Sequence, residues 1–180
     1  VAKARDIIDP TIPPKPLIGM VGEIYLRSHR KSNQDLIKLL ESHGGEIVNS
    51  SIAEWVNYVS YENMQKAGRE IVFAIRHRNL NMLQQHFRDW LGNRVELSYQ
   101  YFRMSQVYRR VRNHLPIHED HKIGHLERQL DNDRLFSFHV GTEAGLSIGG
   151  AVERCLHGFD GIVNVFPFTC MPSAMCSAVL

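Results

Sequence analysis

Cys170 is the residue whose surroundings most favour chemistry. It lies in the segment PFTCMP, residues 167–172, directly after an apolar run, residues 161–166, that predicts a strand buried on both faces. A helix is predicted from Thr169 onward, and the partial positive charge at a helix start favours the thiolate form of a cysteine. Thiolate is the form that binds iron clusters or acts as a nucleophile. The alternative is a small residue buried in a turn.

The other two cysteines lack such surroundings. Cys155 is predicted to pack on the apolar face of a helix over residues 143–157. Cys176 lies six residues after Cys170, without the C-x-x-C spacing of a strong metal signal, and is also interpreted as a packing residue. An odd number of cysteines without a secretory signal indicates reduced thiols rather than disulfides, and hence a cytoplasmic protein.

Four of the ten histidines are concentrated in one segment, at His114, His118, His121 and His125. On a continuous helix the last three would share a face, which suggests a zinc site. However, Gly124 interrupts the helical pattern, and the spacing matches no established zinc motif. The segment is therefore predicted to be a polar connector in which the three rings do not converge.

The elements that position Cys170 are predicted to be strands of a parallel sheet. Residues 17–23 (LIGMVGE) form a buried strand, a helix begins at Ser32, and residues 46–52 form a second strand. Strand, helix and strand at this spacing make a right-handed βαβ unit. Residues 161–166 add the third strand, which gives an α/β fold with the strand order 2-1-3 and helices on both faces.

Ligands gather at the carboxyl ends of strands in such a sheet, beside the point where the strand order reverses. The segments after the first and third strands would therefore face one crevice. Glu23 has an alternative role there, because it could simply pair with Arg27. The crevice candidates are Glu23, Tyr25, Arg27, Glu143, Pro167, Cys170, Met171 and Pro172.

Prolines mark the beginning of the chain. Residues 1–16 contain them at positions 10, 13, 14 and 16, and proline removes donors and disfavours helix. This part is predicted to be a linker that arrives from an upstream domain. Residues 17–180 are predicted to be a fragment of one α/β domain, with a helical insertion at about residues 62–139 whose apolar residues keep a 3.6-residue period.

Charge and hydropathy argue against two classes of partner. A formal net charge of +2 provides no global field that would attract nucleic acid. Residues 161–180 are largely apolar, but Asn164, Pro167 and Pro172 interrupt them, so they are not predicted to span a membrane.

Two stretches resemble the large activase-related proteins of 2-hydroxyacyl-CoA dehydratase systems. The first is GMVGEIYLR (residues 19–27), followed by SNQDL (32–36) and SIAEW (51–55). The second is GIVNVFPFTCMP (161–172), preceded by GTE (141–143). Both motifs occur in the expected order on predicted strand ends, whereas the helical middle of the chain is less distinctive.

The resemblance implies a Rossmann-like domain related to the dehydratase subunits, which gather cysteines from several segments around a [4Fe–4S] cluster. Cys170 matches the cysteine of the family's F-x-C-M-P motif, whereas Ser173 stands where glycine is expected. In that family an ATP-driven activase injects one electron, and radical elimination of water from a 2-hydroxyacyl-CoA follows. The implied partners are other domains of the same longer chain, the dehydratase or activase component, and an acyl-CoA.

The leading functional hypothesis is therefore a domain of an iron–sulfur electron-transfer protein in anaerobic acyl-CoA dehydration. The alternative is a non-catalytic interaction domain that docks the activase ATPase region on its dehydratase partner. No glycine-rich phosphate loop opens a helix in this sequence, so ATPase activity is not expected. A cubane cluster takes several thiolates, so the chain alone is expected to be inactive and to hold no cluster.

Overall fold

The computed structural model describes residues 6–9 and 11–180. Within the predicted linker, residues 11–16 are exposed and lie outside helices and strands, whereas residues 1–5 and 10 fall outside the described residues. Across the described part of the chain, no helix combines the length and the apolar character needed to cross a membrane.

The described chain forms three strands and seven α-helices. In chain order they are β1 (Leu17–Gly22), α1 (Ile24–Ser28), α2 (Leu36–Ser42), β2 (Glu46–Asn49), α3 (Ile52–Arg76), α4 (Leu80–Arg112), α5 (Ile123–Asn132), a 3₁₀ turn (Phe138–Val140), α6 (Ala144–Leu156), β3 (Gly161–Val165) and α7 (Met171–Val179). They divide into two compact units. The first comprises the chain up to Ile52 together with His114–Leu180, and the second is Ala53–Asn113.

The sheet of the first unit is parallel and has the order β2-β1-β3. Leu17 pairs with Glu46 at the start of β2, and Gly22 pairs with Val165 at the end of β3. The prediction of an α/β fold with strand order 2-1-3 is therefore confirmed. The central strand contributes Met20 to the buried core, as expected of a strand flanked on both sides.

Gly22 ends β1 in a backbone conformation that favours glycine. Its φ is +112°, and a side-chain carbon there would overlap the carbonyl oxygen of Val165 and lie 2.7 Å from Oδ1 of Asn164. The next residue, Glu23, donates its backbone N–H to the same Val165 carbonyl at 2.8 Å. The carboxyl ends of β1 and β3 are thus joined at the predicted position of the crevice.

Arg154 connects α6 to the sheet. Its side chain is buried, donating from Nη1 to the carbonyl oxygen of Gly150 at 2.8 Å and from Nη2 to Oγ of Ser50 at 2.6 Å. It lies over Gly19 in β1, where a side-chain carbon would overlap Cδ of Arg154 and lie 3.3 Å from Nε. The glycine in the middle of the strand therefore makes room for a buried guanidinium, which is tolerated because it is hydrogen-bonded.

A second glycine allows α5 to approach α6. A side-chain carbon at Gly149 would lie 3.0 Å from Cβ of Leu126 and 3.5 Å from Cδ1 of Leu130. Both leucines are completely buried, as are Ile123 and Ile148. The core of the first unit therefore includes the contact between these two helices, and the close approach depends on the missing side chain at Gly149.

The second unit is a hairpin of two long helices, α3 and α4. The chain turns at Arg78, whose φ is +52°, and Asn79 caps α4 by accepting a hydrogen bond from the N–H of Met82 at 3.1 Å. Nε2 of Gln100 donates to Oγ of Ser60 at 2.9 Å and so joins the two helices. With 33 residues, α4 is about 50 Å long.

The predicted helix start at Ser32 is wrong. Helix α2 begins at Leu36, because Asp35 has a φ of +55°, which no right-handed helix adopts. Oγ of Ser32 lies 2.8 Å from Nδ1 of His29 instead of capping a helix. The carboxylate of Asp35 accepts from Nε of Arg30 at 2.8 Å, so it does not complete a capping box.

The helical segment between β2 and β3 has different bounds from those predicted. Helix α3 begins at Ile52 rather than near residue 62, and β2 ends at Asn49 rather than at 52. Residues 113–122, which follow α4, contain neither helix nor strand. The compact helical unit is Ala53–Asn113, whereas α5 belongs to the unit that contains the sheet.

Replacing Gly22 by alanine is expected to destabilise the protein more than the same replacement at Gly44. Both glycines have a positive φ, +112° and +94°, so alanine is strained by roughly 1–2 kcal/mol at either position. At Gly22 the added methyl group also meets Val165, whereas nothing lies within 4 Å at Gly44. Urea denaturation measures both variants, and equal midpoints would contradict the close approach of β1 and β3.

Candidate functional site

Glu23 lies at the carboxyl edge of the sheet, immediately after β1. Its Oε1 accepts a hydrogen bond from the N–H of Tyr25 at 3.1 Å, and Oε2 accepts from the N–H of Leu26 at 2.7 Å. Glu23 is thus the N-cap of α1, a short helix that the sequence did not predict. Its carboxylate fixes the path of the chain away from the sheet edge.

The other two candidates on this segment differ in burial. Arg27 is 3% exposed, and its carbonyl oxygen accepts a hydrogen bond from Nδ2 of Asn49 at 3.1 Å, which joins α1 to the end of β2. Tyr25 is exposed and stacks on His29 with 4.8 Å between the ring centroids. Tyr25 therefore faces solvent, whereas Arg27 is part of the packed interior.

Cys170 is the N-cap residue of α7. Its backbone N–H donates to the carbonyl oxygen of Pro167 at 3.0 Å, which closes a turn after β3. Inside this turn Thr169 has a φ of +83°, a strained value for a residue with a branched side chain. The Sγ atom is half-buried and donates to Oγ of Ser173 at 3.4 Å. The serine that departs from the expected glycine thus contacts the thiol directly.

Two apolar side chains flank Cys170 and lie open to solvent. Phe168 is 96% exposed and Met171 is 65% exposed. Pro172 follows in the first turn of α7, where a missing N–H costs nothing. The turn between β3 and α7 therefore presents a half-buried thiol between uncovered apolar groups.

Asn164 is a site residue that the sequence analysis missed. Its Nδ2 donates to the carbonyl oxygen of Ser173 at 2.9 Å and to Oγ of Ser177 at 2.8 Å, so it ties α7 to β3. Its Oδ1 is buried and has no hydrogen-bond partner among the residues that the structure describes. The available signal was one amide in the otherwise apolar run of β3, since a polar side chain in a buried strand needs a partner.

Glu143 immediately precedes α6, and its carbonyl oxygen accepts from the N–H of Ser147 at 3.0 Å. Since only residues 157–160 connect α6 to β3, the helix runs back along the sheet, and its first residue lies toward the carboxyl edge. The structure therefore brings the ends of β1 and β3 and the start of α6 to one edge. A contact between Sγ of Cys170 and residues 23–27 stays a prediction.

The three cysteines do not form a cluster site by themselves. Cys155 is exposed near the far end of α6, so its predicted packing on an apolar face is wrong. Cys176 is completely buried, as predicted, and burial raises the pKa of its thiol to about 11. Only Cys170 combines partial exposure with the carboxyl edge of the sheet, so this donor set does not fit a [4Fe–4S] cluster without thiolates from elsewhere.

A second group of side chains surrounds Glu153, toward the other end of α6. Oε1 of this buried carboxylate lies 3.2 Å from Nε2 of His121, 3.2 Å from Nε2 of His125 and 3.5 Å from Nδ1 of His157. His118 does not belong to this group, because its ring packs against another residue, Phe159, at 5.1 Å between centroids. Two members of the predicted polar connector, His121 and His125, thus meet Glu153 of α6 and His157, which directly follows that helix, and the sequence analysis considered neither as a site residue.

Burial has the largest influence on the pKa of His121 and lowers it below its usual value. The carboxylate of Glu153 acts in the opposite direction, whereas electrostatic repulsion from the neighbouring His157, Arg154 and His125 side chains lowers the pKa of His121 further. His121 is therefore favoured as a neutral imidazole, which carries one nitrogen lone pair.

Comparison with protein-family models, with curated proteins and with solved structures found no match to this chain. The resemblance of the two motifs to the dehydratase system therefore stays a prediction. Among the residues that the structure describes, the turn at Cys170 and the group around Glu153 are two places in the first unit that bring reactive side chains together.

Cys155 and Cys170 are both expected to react with iodoacetamide faster than Cys176. Alkylation requires both access and thiolate, and the three thiols are exposed, half-buried and buried in that order. Mass spectrometry after timed pulses, in native buffer and in urea, measures the rates.

Because the pKa of Cys176 is raised from 9.0 to about 11, its neutral thiol stabilises the fold below pH 9, and this contribution falls as the pH rises toward 11. Rapid native labelling of Cys176 at neutral pH would contradict its burial.

Proposed function

We propose that the first unit is a Rossmann-like domain of an iron–sulfur electron-transfer protein that acts in 2-hydroxyacyl-CoA dehydratase activation or dehydration. Cys170 supplies one thiolate ligand to a [4Fe–4S] cluster. The remaining ligands come from other domains of a longer chain or from the dehydratase or activase component. The observation that carries the proposal is the position of Cys170, which lies immediately before the nine-residue helix α7 at the edge where β1 and β3 end.

The path of the chain supports a Rossmann-like assignment. Because β1 is central, the connection from β1 to β2 and the return from β2 to β3 run in opposite directions across the sheet. Right-handed crossovers in opposite directions place their helices on opposite faces. Helices α2 and α6 would then cover different faces, and the crevice between β1 and β3 would be the switch point at which such folds bind ligands.

The surroundings of Cys170 support its role as a ligand. The free backbone N–H groups in the first turn of α7 carry partial positive charge, which favours a thiolate at the N-cap position. The exposed side chains of Phe168 and Met171 would exclude water from the sulfur once a partner covers them. A bound cluster would supply one-electron chemistry, while the residues of this chain hold the thiolate in a fixed turn.

The proposal includes a cytoplasmic location and an acyl-CoA as the substrate of the complete system. This chain has no ATPase role in the proposal, and its own part is to hold one cluster ligand and to orient it. Asn164 would act as a positioning residue, since its two hydrogen bonds fix the start of α7 on β3.

Replacing Cys170 by alanine in the longer protein, purified anaerobically, is expected to lower the iron content and to abolish the EPR signal of the reduced cluster. The fold should be retained, because the thiol makes one weak contact, with Ser173 at 3.4 Å. Cys155→Ala is the matched control, since Cys155 is exposed elsewhere on the unit. Iron analysis, EPR and circular dichroism measure the three properties. Unchanged iron in the Cys170→Ala protein would reduce this cysteine to a structural residue.

A second candidate function is a non-catalytic domain that docks the activase ATPase region on its dehydratase partner. It is favoured by a row of exposed apolar side chains on α4, namely Phe87, Leu91, Val95, Tyr99 and Phe102. At 100° per residue these five lie within about 120° of one another around the helix. A row of this kind is typical of a surface that a partner covers.

Introducing a charge into this row tests the second function. Val95→Glu is expected to abolish co-sedimentation with the purified dehydratase component, because an uncovered charge opposes burial of the row. Arg103→Glu changes an exposed residue outside the row and should leave binding nearly unchanged. Iron content should be the same in both variants. Normal binding by the Val95→Glu protein would rule out this row as the docking surface.

A further inference from the structure

The group around Glu153 has the chemistry of a metal site that is separate from Cys170. Its buried carboxylate is surrounded by the imidazoles of His121, His125 and His157. We propose that Glu153, His121 and His157 bind a divalent transition-metal ion such as Zn²⁺, and that His125 orients the carboxylate.

The local fold explains why these side chains meet. His157 lies four residues after Glu153, so the two share one face at the end of α6. Gly149 lies four residues before Glu153 on the same face, and a side-chain carbon there would lie only 3.0 Å from Cβ of Leu126 in α5, so its absence allows the two helices to approach closely. His121, just before α5, is thereby brought to the carboxylate.

The distances fit ligands that share one ion. Two ligands bound to tetrahedral zinc at about 2.1 Å are about 3.4 Å apart. Oε1 of Glu153 lies 3.2 Å from Nε2 of His121, and one donor atom from each of Glu153, His121 and His157 lies within 4.8 Å of the others. A charge-assisted hydrogen bond would be shorter, about 2.8 Å. A small ion could therefore be accommodated with minor side-chain rotation.

The backbone prepares His157 for this role. Its Nδ1 lies 2.8 Å from the carbonyl oxygen of Glu153, which can only accept, so Nδ1 carries the proton and Nε2 carries the lone pair that a metal needs. Nε2 of His125 lies 3.2 Å from the same carboxylate oxygen and can donate to it. Hydrogen bonds of this kind behind a metal ligand fix its orientation.

The donor set selects the kind of ion. Two imidazoles and one carboxylate suit Zn²⁺, Co²⁺ or Fe²⁺, whereas Mg²⁺ and Ca²⁺ prefer oxygen ligands alone. The side chain of Glu153 is 4% exposed, but those of His121 and His157 are 34% and 59% exposed. The ion would thus lie at the surface with its fourth position open to water, and it would tie residues 113–122 to α6.

The site is distant from the carboxyl edge of the sheet. Glu153 lies ten residues after Glu143 along α6, which corresponds to about 15 Å. Loss of one site therefore need not affect the other. The failure of zinc binding and the failure of cluster binding are separable results.

Titration of the purified protein with Zn²⁺ after chelator treatment, followed by calorimetry, tests the proposal. A single ion should bind, and Co²⁺ in its place should show d–d bands without the intense thiolate-to-cobalt band that cysteine ligands produce. Glu153→Gln and His157→Gln should each weaken zinc binding by more than the roughly 10- to 100-fold that loss of a hydrogen-bonding partner behind a ligand costs. His125→Gln should fall within that range.

His118→Gln is the matched control, because His118 lies in the same segment but packs against Phe159. Its affinity for zinc should equal that of the unaltered protein. If Glu153→Gln fails to fold, His157→Gln decides alone, since His157 is largely exposed. Three results would overturn the proposal: no zinc binding above that of the His157→Gln protein, a thiolate band with Co²⁺, or equal losses in the His118→Gln and His157→Gln proteins.

Discussion

The buried guanidinium of Arg154 is the interaction on which the arrangement of the first unit depends. It fits between α6 and the sheet only because Gly19 has no side chain, and its hydrogen bonds to Gly150 and Ser50 offset the cost of burying a charge. Successive residues on a helix project about 100° apart. Because Arg154 is directed at the sheet, its neighbour Glu153 is directed at the start of α5. A rotation of α6 would therefore break the contacts of both side chains.

The sheet and the turn at Cys170 could be predicted because their signals are local. Short apolar runs closed by glycine or proline predicted β1 and β3 to within one residue, and a βαβ unit restricts the handedness of its crossover. Cys170 follows such a run and precedes a proline in the first turn of a helix, so its position required no knowledge of distant contacts. The strand order then followed from placing β1 in the centre.

The group around Glu153 could not be predicted, because it depends on a contact between residues 28 positions apart, His125 and Glu153. That contact requires α5 to approach α6 at Gly149, and no feature of the neighbouring sequence indicates this approach. Gly124 was misleading as a breaker, since it lies at the second position of α5, where glycine costs little. The start of α2 could not be predicted either, because the sequence around Asp35 fits an ordinary capping pattern and does not indicate its positive φ.

The hairpin of α3 and α4 leaves the first unit at Ile52 and returns to it at His114. The two flanks meet within that unit, since Oγ of Ser51 donates to a carboxylate oxygen of Asp120. Such an insertion can evolve independently of its host, because a loop whose ends are already held together adds little closure entropy when it lengthens. The tip at Arg78 can gain or lose whole helical turns, so the length of the hairpin is a trait that selection can tune while the sheet stays unchanged.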